Sequence, residues 1–466
     1  MTTLEESHIS AANRPEEAAE PTGLRRRVIT LAWPVIGENM LETLLDIVNT
    51  AFVAKISATA LAGVGSGLQI MFFVLAALSA LSVGSSILVA QAVGADQKEK
   101  AGHLARQSLL WSALLSVPLA IIGFTLAPVI VHVFGMTPEV ERVGAAYLQV
   151  AMGTVVVLVA LVIGGGVLRG AGDSRTPMLV TGLANVVNVG LAYGLIHGYA
   201  GLPALGAVGS AWAAFAARFL ALILLVVALW KGRSGVSIAG NWEKWRPDWS
   251  AAKQVLKLGI PASIEQLLMA TAFLVLTILV ARQGTEVLAA QRISMSALSF
   301  SFLPGIGFSM AATALVGQSI GARRPEEGAA MVRIATLWAV IWMSAMGTLA
   351  FIFATPIMGL FTSDPDVVRI GASGLRVVAL TQPFWAVGMV QSGAIRGTGD
   401  TRFPLLIGTA GMWTAVFLAW IALSFLGGGL PALWAAFLIT SPVNAMLFWR
   451  RFGHRITELK RTNKES

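Results

Sequence analysis

Glu38, Glu42 and Asp46 are spaced at i, i+4 and i+8 inside an otherwise apolar stretch. On a helix with ~3.6 residues per turn and ~1.5 Å rise they share one face and climb ~12 Å along it, with Asn49 on the same stripe. A carboxylate inside a bilayer costs about 2.5–3.5 kcal/mol on insertion scales, so it is kept where it has a task. Carboxylates crowded in a low dielectric resist carrying full negative charge together. A proton, a Na⁺ or an organic cation relieves that repulsion. One anionic site that takes two kinds of cation, one at a time, is the physical basis of antiport. A fourth acid, Glu265, lies four residues after Pro261, as Glu38 lies four after Pro34. Proline frees a carbonyl and kinks a helix, so Glu38 and Glu265 also read as structural partners of two kinks. The plain alternative is that some of these acids bond to neighbouring helices or to Arg218.

The elements that must hold these acids are membrane spans. Of the 466 residues 56% are apolar and only 12% charged, with mean hydropathy +0.75. Soluble domains average ~45–50% apolar and ~25% charged. So little charge cannot cover a soluble fold of this size, which excludes most soluble-enzyme classes. Twelve stretches are long enough for a spanning helix of ~20 residues: 29–54, 67–92, 107–134, 143–168, 178–199, 205–230, 254–281, 290–317, 332–361, 370–395, 404–427 and 429–449. Lys and Arg number 33 against 24 Asp and Glu. Most of them fall in the cluster Arg25 to Arg27, in the loops after even-numbered spans and in the C-terminal tail. That asymmetry puts both termini in the cytoplasm and reads the net +9 as cytoplasmic loops, not as a nucleic-acid surface. Cysteine is absent, so there is no disulfide and no thiolate metal site. His8, His103, His132, His197 and His454 show no metal-ligand spacing, and no metal or other cofactor is expected.

The halves repeat at one constant shift. Arg169-Gly-Ala-Gly-Asp-Ser-Arg175 recurs 227 residues later as Arg396-Gly-Thr-Gly-Asp-Thr-Arg402, and Gln91 with Gly94 recurs as Gln318 with Gly321. Pro34, Glu38, Phe134, Pro138 and Arg142 map to Pro261, Glu265, Phe361, Pro365 and Arg369 in the same register. The organisation that follows is a disordered cytoplasmic tail over 1–24, an N-lobe over 25–230, an interlobe linker over 231–253, a C-lobe over 254–450 and a basic cytoplasmic tail over 451–466. Six spans per unit give both units the same orientation, related by a pseudo-two-fold along the membrane normal. The fold class is an all-α polytopic membrane protein of two parallel-repeat six-helix lobes, with a cavity between lobes that can rock. The linker carries Trp242, Trp245 and Trp249 among Lys244, Arg246 and Lys253. Indole rings favour the interface, so it reads as lying on the cytoplasmic leaflet, or else as a plain tether.

These pieces resemble the multidrug and toxic compound extrusion (MATE) family over about 30 to 450. The matching residues are Leu31-Ala32-Trp33-Pro34, Asn49-Thr50, Val89-Ala90-Gln91 with Gly94-Ala95, Asn185 and Asn188, Pro304-Gly305-Ile306-Gly307, and above all the doubled Arg-Gly-x-Gly-Asp loop. The resemblance implies two six-helix lobes, a central cavity, and export of amphipathic, often cationic compounds against inward H⁺ or Na⁺. The sequence departs from the family where Asn49 stands for an Asp before Thr; Asp46, one turn earlier, can take its place. Na⁺-linked members also tend to pair a span 7 Glu with a span 10 Asp. Span 10 here has no acid, and Glu265 lies about one turn early. H⁺ is favoured, because protonation needs no cage of ligands.

Glu38, Glu42, Asp46, Asn49 and Glu265 are thus the candidate coupling and substrate-binding residues, with Glu42 and Asp46 first. Gln69, Asn185, Asn188, Gln382 and Gln391 are intramembrane amides, which more often bridge helices than bind substrate. Met40, Met71, Phe72, Phe73, Met269, Phe273 and Met295 are candidates for an adaptable pocket lining. In the two loops glycine permits a tight turn, and Arg169, Asp173, Arg175, Arg396, Asp400 and Arg402 read as cytoplasmic latches. Without Gly-Lys-Ser/Thr they are not nucleotide loops. The best reading is a drug exporter of the bacterial inner membrane, working as a monomer on small amphipathic cations among membrane lipids, with no nucleic-acid partner. A lipid or lipid-linked-precursor flippase is the alternative and needs a cationic cavity. A membrane enzyme needs clustered His, Asp or Ser near one leaflet, and no such cluster is seen.

Overall fold

The computed structural model describes residues 21–199, 201–232, 234–425 and 427–465, and every regular element in them is helical. Residues 1–20 of the expected disordered tail lie outside the described residues. The N-terminal half holds α1 (Pro21–Ala54), α2 (Ala58–Gly94), α3 (Lys98–His132), α4 (Pro138–Gly153), α5 (Val155–Gly170), α6 (Arg175–His197) and α7 (Ala207–Trp230). The C-terminal half holds α8 (Trp249–Ala281), α9 (Thr285–Gly321), α10 (Pro325–Ile352), α11 (Ala354–Gly359), α12 (Pro365–Ala379), α13 (Gln382–Gly397), α14 (Arg402–Phe425) and α15 (Gly429–Glu465). Nine described helices are long and apolar enough to cross a membrane, and the α4–α5 pair makes a tenth. The repeat adds α1, the twin of α8, and α12–α13, the twin of α4–α5. The chain is an all-helical membrane protein of ten to twelve spans in two repeated halves.

The structure corrects several expected elements. The stretch 143–168 is two helices, α4 and α5, bent by 52°. The stretch 370–395 is likewise α12 and α13. The breaks fall at Thr154 and Thr381, 227 residues apart, where each hydroxyl turns back on its own helix: Thr154 Oγ1 donates to Val150 O at 2.8 Å and Thr381 Oγ1 to Val378 O at 2.6 Å. Such back-bonding bends a helix, and Pro383 in the first turn of α13 offers no N–H to carry the ladder across. The stretch 332–361 stops at Ile352 and restarts as α11, with Pro356 in the new first turn. The helix of the stretch 429–449 runs on as α15 to Glu465, through the basic segment expected after it.

The two halves are joined most tightly at the end that carries the Arg-Gly-x-Gly-Asp loops, called here the basic end. Leu24, Val28, Leu31 and Ala32 of α1 share one buried cluster with Phe308, Ala311 and Leu315 of α9, Met331 of α10 and Phe448 of α15. The ends of α2 and α9 cross with their backbones in contact. A Cβ on Gly94 would lie 1.9 Å from the Gln318 carbonyl oxygen, and one on Gly321 would lie 2.0 Å from that of Gln91. Only glycine fits at either position. The linker does more than tether. Val236 and Ile238 are buried, Arg106 donates to the Ser237 and Ala239 carbonyls, and Gln107 donates to Arg246 O at 2.7 Å while accepting from Asp248 N at 2.8 Å. Those contacts dock the linker on α3, leaving Trp242 and Trp249 exposed.

Candidate functional site: an acidic cleft between the halves

Helix α1 is exposed along two opposed stripes. Ile29, Trp33, Met40, Leu44 and Ile47 form an apolar one. Glu42 and Asp46 are exposed on the other. Met40 and Glu42 are two residues apart, about 160° round the helix at ~3.6 residues per turn. Between the stripes α1 packs on α6 of its own half and on α9 of the other. An acidic stripe facing lipid is costly, whereas an apolar one is at home there. The acids therefore face away from lipid, on the side from which the charges of Arg169 and Arg218 reach them. Solvent reaches Glu42 even though protein surrounds it densely, as it would on the wall of a cleft.

The cleft is closed at the basic end. The hydrogen bonds between the halves among the described residues run from mid-span to that end. Ser263 Oγ donates to Ala77 O at 2.9 Å. Gln91 Nε2 donates to Gly397 O at 3.3 Å, and its repeat twin Gln318 Nε2 donates to Gly170 O at 2.9 Å, so each half reaches into the other's loop. Arg27 of α1 pairs with Glu327 of α10. At the other end α1 leaves Glu42 and Asp46 open, and α2 leaves Gly65, Leu68, Gln69 and Phe72 exposed along one face.

The structure separates the acids into two kinds. Arg169 Nη1 lies 3.0 Å from Glu38 Oε2, and Arg396 Nη2 lies 2.7 Å from Glu265 Oε1. The pairs are repeat twins, and all four side chains are largely buried. Each fastens a loop arginine to the first helix of its own half, just past the proline. Glu42 and Asp46 make no hydrogen bond or ion pair among the described residues. Arg218 does not bond to them; it stands close enough for its charge to act on Asp46, Glu42 and Tyr147.

The other named residues fall as follows. Asn49 and Asn188 each carry a buried Oδ1 without a hydrogen-bond partner among the described residues. Asn185 Nδ2 donates to Leu41 O at 2.8 Å, Gln391 Nε2 to Thr336 Oγ1 at 3.2 Å, and Gln382 Oε1 accepts from Ser301 Oγ at 2.7 Å; these three bridge helices. Met269 and Met295 pack on the core of the C-terminal half, and Phe273 is partly exposed. Met40 belongs to the outward apolar stripe, not to the Glu42 wall. In the loops, Gly172 and Gly399 take φ of +92° and +86°, which glycine alone adopts easily. Asp173 Oδ1 accepts from Arg175 N at 3.1 Å and Thr176 N at 3.0 Å, capping α6. Asp400 Oδ1 accepts from Phe403 N at 3.1 Å and its Oδ2 from Arg451 Nη2 at 2.6 Å. Arg175 and Arg402 make no such pair among the described residues. Tyr147, which the sequence did not single out, is buried in an apolar cluster with Val53, Ala60 and Val64, within range of the charges of Arg218 and Asp46.

Comparison with known proteins gives a consistent picture. The MatE family profile matches residues 34–194 and again 261–421, two segments in the register of the internal repeat. A protein of Thermotoga maritima called a probable multidrug resistance protein NorM is 32% identical over 88% of each chain. Two solved structures align over 94% of this chain and 97% of their own. One, a MOP superfamily transporter from Pyrococcus furiosus described as having a binding pocket of reverse polarity, aligns with TM-score 0.86 at 24% identity. The other, described as the outward-facing conformation of a multidrug resistance MATE family transporter, aligns with TM-score 0.84 at 25% identity.

Proposed function

The chain belongs to the multidrug and toxic compound extrusion family, and on that premise we propose that it exports small amphipathic cations in exchange for inward H⁺. One observation carries the reading: Glu42 and Asp46 stand unpaired and solvent-reached on the cleft wall, while Glu38 and Glu265 are neutralised by arginines. The unpaired acids attract either a proton or an organic cation. Neutralising them with one ligand removes the attraction for the other, so the two cations exclude each other. Apolar residues near the mouth of the cleft, Leu68 and Phe72 among them, supply surface for the hydrophobic part of the substrate.

The charge asymmetry of the loops supports a bacterial inner-membrane protein with both termini in the cytoplasm. In that orientation the basic end is cytoplasmic, and the described arrangement opens outward. Alternating access then requires parting the Gln91–Gly397 and Gln318–Gly170 contacts while the open end closes. Both lobes, 25–230 and 254–450, come from one chain, so a monomer completes the cleft. The flippase alternative fits less well, because a pyrophosphate needs a cationic wall and this one is acidic. Na⁺ coupling is the rival for the ion. Proteoliposomes loaded with ethidium, with a pH gradient or a Na⁺ gradient imposed alone, decide it. Efflux driven by the pH gradient alone supports the proposal. Efflux driven only by Na⁺ replaces the ion, and no efflux under either gradient overturns the reading.

A further inference from the structure

Each Arg-Gly-x-Gly-Asp loop lines a cavity open to solvent, about 260 Å³ in the C-terminal half and about 300 Å³ in the N-terminal half. The repeat gives them matching walls: Gly172, Asp173 and Arg175 in one, Gly399, Asp400 and Arg402 in the other. Their charge does not match. The C-terminal cavity adds Lys257, Arg451 and Arg455. At the positions 227 residues earlier the chain has Thr30, Leu224 and Ala228. The N-terminal loop folds without those three cations, so loop geometry does not require them.

Nor do the local acids absorb them. Asp400 is already bonded to Arg451 and to the Phe403 amide. Lys257 and Arg402 have no acid partner among the described residues. Arg455 gives one N–H to Glu458 at 2.9 Å, while its Nε–H is buried with no partner. Arginine forks present parallel N–H donors to phosphate oxygens, and lysine adds a point charge. The cavity lies where α15 passes from its continuous apolar stretch into a basic one with Arg450, Arg451 and Arg455, which is headgroup level for a membrane span. Its volume exceeds the ~30 Å³ share of one water several-fold, enough for a phosphoryl group.

We infer that this cavity is a lobe-specific site for a phosphate-type anion, held by Lys257 of α8, Arg402 at the start of α14 and Arg455 of α15. The occupant is either the phosphodiester headgroup of an anionic lipid or phosphate from solution. It ties three helices of the C-terminal half together next to the loop that Gln91 reaches, and it is independent of the acidic cleft. The N-terminal twin supplies the substitutions for a test: Lys257→Thr with Arg455→Ala gives the C-terminal cavity its twin's residues at two of the three differing positions and leaves the Arg451–Asp400 pair intact.

The full chain is reconstituted in nanodiscs of phosphatidylcholine, of phosphatidylcholine with a titrated share of phosphatidylglycerol, and of phosphatidylcholine with inorganic phosphate in the buffer. The readouts are the thermal unfolding midpoint and the phosphatidylglycerol retained in native mass spectra. The charge-matched control is Arg450→Ala with Arg461→Ala, two exposed cations outside the cavity. Parent and control should gain stability with the anion, and the twin-residue variant should need roughly tenfold more of it. A response to phosphatidylglycerol alone assigns a lipid headgroup; a response to phosphate as well assigns the free anion. The inference is overturned if neither anion shifts the parent, or if the control loses the response as fully as the cavity variant. Should the double variant misfold, Lys257→Thr alone, at an exposed position, carries the same comparison.

Discussion

Replacing Arg169 with Met, which keeps an unbranched apolar stem but removes the guanidinium and its charge, separates a structural acid from a coupling acid. In the parent, Arg169 Nη1 lies 3.2 Å and 3.0 Å from the two Glu38 oxygens, and the side chains are 11% and 13% exposed. Removing one partner of a pair so buried leaves an uncompensated charge and costs about 3–5 kcal/mol. Replacing both partners with apolar groups of similar size is often close to neutral. Arg169→Met should therefore lower the thermal midpoint strongly, and adding Glu38→Leu should restore most of it. The same cycle on Arg396 and Glu265, 2.7 Å apart, should behave alike. The assay is thermal unfolding of all four proteins of each cycle in one detergent, followed by ethidium efflux from proteoliposomes of the double variants. The reasoning predicts that both double variants still transport, because a clamp can be exchanged for an apolar contact. It is refuted if Arg169→Met, Glu38→Leu is stable but does not transport, since Glu38 would then be needed for its charge. It is refuted equally if the double variant is no more stable than Arg169→Met alone.

Three further outcomes follow from the same geometry. Gly94→Ala or Gly321→Ala forces a Cβ into a backbone carbonyl 1.9 Å or 2.0 Å away and should loosen the basic end. Since the chain has no cysteine, Ser263→Cys, at the buried contact with Ala77, can report it: maleimide labelling should be slow in the parent background and fast in either glycine variant. Asp173→Ala removes the cap of α6 and should cost about 0.5–2 kcal/mol by the lowered unfolding midpoint. Asp400→Ala should cost more than Asp173→Ala, because it also strands Arg451; equal midpoints would count against that pair.

Much of the architecture was legible because it is written in long, redundant signals. Apolar stretches announce the spans, and a constant 227-residue shift announces the halves. The breaks at Thr154 and Thr381 were hidden because hydropathy runs unchanged across them and a hydroxyl's back-bond leaves no apolar signature. In the site, the i, i+4 spacing of Glu42 and Asp46 correctly implied a shared helix face, but spacing alone does not say which faces lie in the cleft. Met40 was misplaced for that reason: proximity in sequence to Glu42 puts it on the far side of α1. The clamp escaped notice although its signal was available, since Glu38 to Arg169 and Glu265 to Arg396 have the same separation of 131 residues. A repeated acid and a repeated arginine at one fixed separation are a candidate pair.

The central claim is that the two unpaired acids of α1 carry the exchanged cations. Proton uptake triggered by ethidium in proteoliposomes, measured for the parent and for Glu42→Gln with Asp46→Asn, tests it most directly. At an effective dielectric of ~20, a carboxylate ~4 Å from a monovalent cation contributes roughly 4 kcal/mol before desolvation, so losing both should abolish substrate-linked proton movement while the protein remains folded. Ethidium-triggered proton uptake that persists in the variant at the parent's rate would contradict the account.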